Sequence, residues 1–296
     1  MTPRTSRQPA PGRATSAPHL SCECLAVGYK GHSLLPAFDL TIAPGSFTLV
    51  VGRNGTGKST WLKTVLGLIP PVSGRVRMAE PRPRLTYVPQ AAALDAILPV
   101  RGRDVAAWGR LHGWQFLRPL AARADRVATD SALAEAEAEA FADQAFRELS
   151  GGQKQRILFA RMLASDADVI LLDEPTASMD QASEREAYRR LDNIRHKGGT
   201  AVIVVTHTIS QVTPYADQLL FVDRTERARR DGEADKGAAQ LRKQAEKPAD
   251  RDAETSPGPA EFHSDHGVVL VGPPDIVCAH RHFQRHFHEV LPDGPA

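Results

Sequence analysis

Phe47-Thr48-Leu49-Val50-Val51 runs without a break into Gly52-Arg53-Asn54-Gly55-Thr56-Gly57-Lys58-Ser59-Thr60. A β-forming run, then the pattern GxxxxGK[ST], then a helix-compatible stretch from Lys58 to Leu68 predicts one strand–loop–helix unit. No other feature limits the possible folds as strongly. Gly52, Gly55 and Gly57 let backbone N–H groups curl around an anion at the positive end of a helix. Lys58 then supplies a point charge for β- and γ-phosphates, and the Ser59 hydroxyl is offered to Mg²⁺. Such a strand needs neighbours on both sides and cover on both faces, which predicts an α/β core.

Two further runs fit that core. Val169 to Leu172 and Ala201 to Val205 are apolar throughout, as strands buried on both faces are. The first continues into Asp173 and Glu174, so two carboxylates arrive at the carboxyl end of a strand, where open α/β sheets bind ligands. Asp173 is a candidate Mg²⁺ ligand and Glu174 a candidate general base. The stretch from about Val105 to Arg147 is rich in Ala, Leu, Glu and Arg, good helix formers, and predicts a helical insertion.

Composition removes several classes of function. The net charge of +2 over 296 residues gives no basic excess, so no nucleic-acid partner is expected. Cys22, Cys24 and Cys278 cannot build a disulfide framework, and their spacing is wrong for a zinc knuckle. A reducing compartment follows. No apolar run approaches the length of a membrane span. Residues 1–20 carry four prolines and three arginines but no acid, and lack the apolar core of a secretory leader, so a disordered arm is expected. The folded domain is drawn at 21–223. Arg224 to Glu261 holds 18 charged side chains in 38 residues, nine of each sign, with Leu241 as its one large apolar residue. That segment, extended to 265, reads as a disordered insertion, and 266–296 as a terminal strand with a His-rich segment.

Leu149-Ser150-Gly151-Gly152-Gln153 carries the most specific signal after the phosphate loop. With it the chain resembles the ATP-binding subunits of ABC transporters, whose signature is LSGGQ. The resemblance implies a P-loop NTPase core of ABC-transporter type, with an antiparallel β subdomain and an inserted α-helical subdomain at about 92–147. It implies ATP and Mg²⁺ as ligands and ATP hydrolysis as the activity. Ser150, Gly151, Gly152 and Gln153 would contact the γ-phosphate held by a second ATPase subunit, in a homodimer clamping two nucleotides. Tyr29 matches the aromatic that stacks on adenine. Gln90, in Tyr87-Val88-Pro89-Gln90, matches the glutamine that reaches Mg²⁺ and the attacking water. His207 matches the switch histidine near the γ-phosphate, and Asp180 the D-loop at the dimer seam. Met179 stands where leucine is more usual.

Beyond Gln90, the residues Asp95, Pro99, Val100, Asp104, Val105, Gly109 and Arg110 are similar to those of zinc and manganese importers. Transmembrane permease subunits, an extracytoplasmic solute-binding protein and a cytoplasmic place on the inner membrane face come with that resemblance. Another cargo, or a non-transport ABC ATPase, are the alternatives. One phosphate loop, one signature and a short helical insertion speak against the last. Gly272-Pro273-Pro274-Asp275-Ile276-Val277 resembles the step after a terminal hairpin, with Leu219–Asp223 and Val268–Val271 as its strands. In the tail, helical spacing would stack Cys278, His282 and His286 on one face as candidate transition-metal ligands. The competing reading is a terminal helix whose Phe283 and Phe287 pack on the core.

Overall fold

A computed structural model of the chain describes residues 17–89, 100–111, 122–177, 179–207, 209–224, 258–264 and 267–287. A three-stranded antiparallel sheet has the order β4-β1-β6, from β1 (Leu20–Ala26), β4 (Phe38–Ile42) and β6 (Ser73–Met78). A two-stranded ribbon, β2 (Gly28–Tyr29) and β3 (His32–Ser33), interrupts it. The main sheet adds β5 (Phe47–Val51), β7 (Leu85–Val88), β8 (Val169–Asp173), β9 (Ala201–Thr206), β10 (Gln218–Asp223), β11 (Ala260–Ser264) and β12 (Gly267–Gly272). Its order is β11-β12-β10-β5-β9-β8-β7, parallel from β10 to β7 and antiparallel at the β12 and β11 edge.

Every residue of β5, β8 and β9 is buried, because the sheet is covered on both faces. On one face Phe47, Leu49, Val51, Val204 and Phe221 pack toward the helical side. On the other, Val50, Ile203, Val205 and Leu220 pack with Trp61, Leu62 and Val65 of α1 (Lys58–Val65) and with Leu20, Leu40 and Ile42 of the antiparallel sheet. Each fully buried side chain of this kind contributes about 1.5–3 kcal/mol. With both faces apolar, hydrophobicity alone does not fix the register of β10 on β5. Polar groups at the strand starts fix it. The Phe47 N–H donates to Asp217 Oδ2 at 2.7 Å, and Gln218 Nε2 donates to Thr48 Oγ1 at 2.8 Å.

Four more helices build the other side: α2 (Gly102–Ala107), α3 (Arg123–Glu135), α4 (Gly151–Ala164) and α5 (Gln181–Gly198). α2 and α3 pack on α4 as a helical subdomain. Arg190 of α5 ties this subdomain to the core, reaching Glu137 Oε1 at 2.7 Å and Glu186 Oε1 at 2.9 Å. The fold is the expected one: an α/β P-loop core, an antiparallel β subdomain and an α-helical subdomain.

Four boundaries differ from the sequence expectation. β1 already begins at Leu20, inside the stretch expected to be an arm; residues 1–16 of that stretch lie outside the described residues. The helix after the phosphate loop stops at Val65, short of Leu68. There Gly67 turns left-handed at φ +73°, and the Gly67 and Leu68 N–H groups bond back to the Thr64 and Lys63 carbonyls. The expected charged insertion ends at 259, because Ala260–Ser264 forms β11 against β12. Residues 225–257 lie outside the described residues. Finally, the tail is not one helix. α6 (Pro274–Ala279) ends before an extended His280 (φ −72°, ψ 138°), and α7 (Arg281–Phe287) starts afresh.

Candidate functional site

Register assembles the site. Val51 of β5 pairs with Thr206 of β9, and Val205 pairs with Asp173 of β8. The residues that follow these strands, Gly52, Glu174 and His207, therefore emerge along one edge of the sheet.

The phosphate loop is shaped by its glycines. A Cβ at Gly52 would lie 2.3 Å from the Val222 carbonyl oxygen, so only glycine lets the loop leave β5 against β10. Gly57 takes φ +108° at the entry to α1. The Thr56 hydroxyl donates to the Arg53 carbonyl at 2.8 Å and closes the loop. Lys58 is 6% exposed, and its Nζ donates to the Gly52 carbonyl at 2.6 Å and the Arg53 carbonyl at 3.0 Å. Burial pushes its ammonium pKa down, and the charges of Glu174 and Asp173 pull it back up. Asn54 and Gly55 lie at the exposed crest of the loop.

Asp173 and Glu174 are each 7% exposed. Burial, then the neighbouring Glu174, push the Asp173 carboxyl above its ordinary range, while Lys58, Tyr87 and Ser59 act against that rise. The Tyr87 hydroxyl donates to Asp173 Oδ2 at 3.4 Å. Two adjacent buried carboxylates carry more negative charge than the Lys58 ammonium beside them offsets. A hydroxyl and a carboxylate oxygen side by side are the donors a hard cation takes, so Ser59 and Asp173 fit Mg²⁺.

Glu174 is held in an unusual pose. Its φ is +51°, which costs a non-glycine residue about 1–3 kcal/mol and persists where surrounding contacts enforce it. Its N–H donates to the Val205 carbonyl at 2.8 Å. Its Oε2 lies 2.9 Å from His207 Nδ1 and accepts from the Thr206 hydroxyl at 3.4 Å. The carboxylate is thus fixed at the sheet edge beside the phosphate loop, and His207 meets it from the solvent side.

The other sequence-derived residues sit around this centre. Tyr29 is 49% exposed, and its phenolic oxygen accepts from the Thr60 hydroxyl at 3.4 Å, which leaves an aromatic ring exposed beside α1. Ser150 caps α4: its hydroxyl accepts from the Gln153 N–H at 3.3 Å, and its own N–H donates to Gln153 Oε1 at 2.9 Å. Gly151 and Gly152 form the first turn behind that cap. Asp180 caps α5, accepting from the Ser183 N–H at 2.8 Å. Gln90 lies outside the described residues, as do Asp95 and Pro99. Gly109 and Arg110 are structural joints of the helical subdomain. A Cβ at Gly109 would meet the Arg161 carbonyl oxygen at 2.1 Å, and Arg110 bonds Asp125, Asp166 and the Ala164 carbonyl.

The structure does not stack Cys278 with His282 and His286, because the chain breaks helix at His280; Cys278 belongs to α6 and His282 and His286 to α7. Phe283 and Phe287 instead pack on Phe221, with ring centroids 5.3 and 6.2 Å away. Motif reading missed Thr206 as a Glu174 partner, and it quoted Tyr87 only as part of a motif. It also missed Gln155, whose side-chain amide donates to the Pro175 carbonyl next to Glu174.

An anion cradle and a cation cradle sharing one strand edge fit a metal-bound polyphosphate, so fold and site together define the class, a P-loop ATPase. Comparison with known proteins narrows the class. The ABC transporter family model matches residues 35–177. The zinc import ATP-binding protein ZnuC of Halorhodospira halophila is 36% identical over 217 residues, covering 73% of this chain and 78% of that protein. The manganese transport system ATP-binding protein MntB of Listeria monocytogenes is 35% identical over 205 residues, covering 68% and 85%. A dimeric, post-hydrolysis ATP-binding cassette, MJ0796 bound to ADP and Pi, superimposes with a TM-score of 0.59 at 25% identity, over 69% of this chain and 94% of that one.

The chain belongs to the ABC transporter ATP-binding proteins, and its activity is that of an ABC transporter ATPase. Members of the family bind ATP, typically with Mg²⁺, dimerise, and pair with transmembrane permeases. Among the described residues no helix is long and apolar enough to cross a membrane.

Proposed function

We propose that this chain is the ATP-hydrolysing subunit of an importer for a divalent metal ion such as zinc or manganese, working through a separate membrane permease. The observation that carries the cargo is its identity of 35–36%, over about two thirds of its length or more, with zinc and manganese import ATPases. On this reading it lies on the cytoplasmic face of the membrane as a homodimer, and a solute-binding protein delivers the ion from outside.

On this reading each candidate residue has one role. The loop from Gly52 to Thr60 wraps the phosphates, with Arg53, Asn54 and Thr56 contributing backbone. Lys58 leaves its two carbonyls to neutralise the β- and γ-phosphate oxygens. Ser59 and Asp173, with Gln90, hold Mg²⁺, which supplies charge neutralisation at the phosphates when bound. Glu174 takes a proton from the attacking water, and His207 orients that carboxylate and faces the γ-phosphate. Tyr29 stacks on adenine. Ser150 and the α4 N-terminus bind the γ-phosphate held by the second subunit, and Asp180 lies at the seam.

A strain lacking this chain tests the cargo. It should lose accumulation of radioactive zinc or manganese at limiting supply, and wild-type but not Glu174→Gln chain should restore it. Undiminished uptake of both metals in the deletion strain would overturn the metal reading and leave the ATPase assignment standing.

A further inference from the structure

Of the three tail residues that helical spacing selects, His282 meets two further metal-binding side chains, both on β11. Glu261 and His263 stand two apart on β11, so their side chains share one face of the strand, while Phe262 points the other way to meet Phe38 with ring centroids 6.4 Å apart. His282, in the first turn of α7 and only 6% exposed, comes up against that face. One ligand atom from each of Glu261, His263 and His282 lies within 4.8 Å of the other two. We propose that Glu261, His263 and His282 form a binding site for a zinc-like divalent transition-metal ion, which pins the edge strand β11 to α7.

Geometry supports the choice of metal. Ligands about 2.0–2.1 Å from a tetrahedral zinc lie roughly 3.3 Å from one another. Here His263 Nε2 is 2.5 Å and His282 Nε2 3.9 Å from the same Glu261 Oε1, so shifts of about 0.6–0.8 Å bring each histidine to that spacing from the carboxylate, and the three ligand atoms already lie within 4.8 Å of one another. Two imidazole nitrogens and one carboxylate oxygen suit zinc and its borderline neighbours, whereas Mg²⁺ and Ca²⁺ take oxygen donors. Three protein ligands leave a fourth position for water.

The surroundings add an outer layer. The His280 Nδ1 accepts from the His282 backbone N–H at 3.4 Å, which puts the neutral ring's proton on Nε2. That Nε2 lies 3.5 Å from Glu261 Oε2, the carboxylate oxygen away from His263. An imidazole N–H on the far oxygen of a ligating carboxylate is the kind of partner that fixes a ligand's orientation. The His280 ring also stacks on His282 at 5.5 Å and 17°, holding the buried imidazole in place.

The site has a mechanical consequence. β11 is the strand at which the chain re-enters the sheet after the charged stretch, and α7 is anchored through Phe283 and Phe287 on Phe221 of β10. A bound ion joins these two elements by bonds that neither makes alone. This inference does not depend on which cargo the transporter moves.

The test uses full-length protein stripped with a chelator and kept free of nucleotide and Mg²⁺. Zinc is titrated in competition with a chromophoric chelator, followed by Co²⁺ absorption to read the ligand geometry. Wild type should bind one equivalent, and His263→Ala and Glu261→Gln should each weaken that site at least tenfold. Both substituted positions avoid the buried His282, so the fold should survive. Cys278→Ala should bind as wild type does. Zinc should raise the melting temperature of wild type and leave that of His263→Ala unmoved. Equal affinity in wild type, His263→Ala and Glu261→Gln, or a loss in Cys278→Ala instead, would overturn the proposal. Metal uptake by cells is a separate readout, so failure of the cargo assignment does not touch this result.

Discussion

Replacing Glu174 by glutamine removes one property and leaves nearly everything else. The amide has the size of the carboxylate and keeps an oxygen for the contacts to His207 Nδ1, at 2.9 Å, and to the Thr206 hydroxyl, at 3.4 Å. The backbone at φ +51°, held by the N–H bond to the Val205 carbonyl, need not move. What disappears is a base. Loss of a positioned general base lowers turnover by about 10²- to 10⁴-fold. At about 1.36 kcal/mol per decade, that is roughly 2.7–5.4 kcal/mol of barrier. Binding should move the other way. Asp173 and Glu174 are two buried carboxylates beside the loop that receives the phosphates, and neutralising one lessens repulsion of the polyanion.

The variant should therefore bind Mg·ATP at least as tightly as wild type and accumulate as an ATP-loaded dimer. Phosphate release at saturating Mg·ATP measures the first effect, a fluorescent nucleotide titration the second, and size-exclusion chromatography with and without ATP the third. Turnover within threefold of wild type would refute the assignment of Glu174 as the base. Binding that collapses along with turnover would refute the claim that only basicity was removed.

Ser150→Arg should leave nucleotide binding by the phosphate loop intact while abolishing ATP-dependent dimerisation and turnover; the lost cap alone should lower stability by about 1 kcal/mol, read as a small fall in melting temperature. Gly52→Ala sets a Cβ 2.3 Å from the Val222 carbonyl oxygen, so backbone must shift; a loss of about 2 kcal/mol, roughly 4–8 °C in melting temperature, is expected together with weaker ATP binding. The guanidinium groups of Arg189, then Arg190, hold the Glu186 carboxyl down at about 2. A depressed carboxyl stabilises the fold above its ordinary pKa and loses that contribution as pH falls through the folded value. The melting-temperature gap between wild type and Glu186→Gln should be constant above pH about 5 and shrink steadily below it.

The central strands and the phosphate loop were legible because each is a local signal. An apolar run with no polar interruption demands cover on both faces, and β5, β8 and β9 are such runs. Gly52 to Ser59 announces its own geometry, since the glycine positions are dictated by backbone conformation. β11 gave no such signal. Of Ala260-Glu261-Phe262-His263-Ser264 only Phe262 is large and apolar, and no residue of the strand is fully buried. Its pairing comes from the partner strand β12, which is apolar enough to hold an edge. Thr206 and Tyr87 were obscure for a related reason. Each reaches the site through strand register, with Thr206 beside Glu174 and Tyr87 beside Asp173, and register is a property of pairs of distant segments. Cys278, His282 and His286 failed in the opposite direction. Their spacing assumes one continuous helix, and the extended His280 breaks the chain into two, with Cys278 in the first and His282 and His286 in the second.

The buried contacts also bear on why the proposed second subunit should matter to chemistry it does not perform. Both proposed phosphate-binding ends of the chain make internal hydrogen bonds. Lys58 bonds its own loop carbonyls, and the Ser150–Gln153 capping box closes the N-terminus of α4. A bound phosphate competes with these internal bonds, so engagement of one end should alter what its neighbours hold. For α4 that neighbour is identifiable. Gln155, two residues after Gln153 and only 4% exposed, donates from its side-chain amide to the Pro175 carbonyl. Pro175 directly follows Glu174, whose pose is already under strain at φ +51°. A phosphate drawn onto the α4 N-terminus from the partner chain would thus act on a helix bonded to the peptide next to the base. A small displacement there shifts the carboxylate relative to the water, and misplacement by about 1 Å is worth on the order of 10²-fold in rate. Through this contact the proposed dimer closure would both complete the phosphate shell and set the angle of the carboxylate that activates the attacking water.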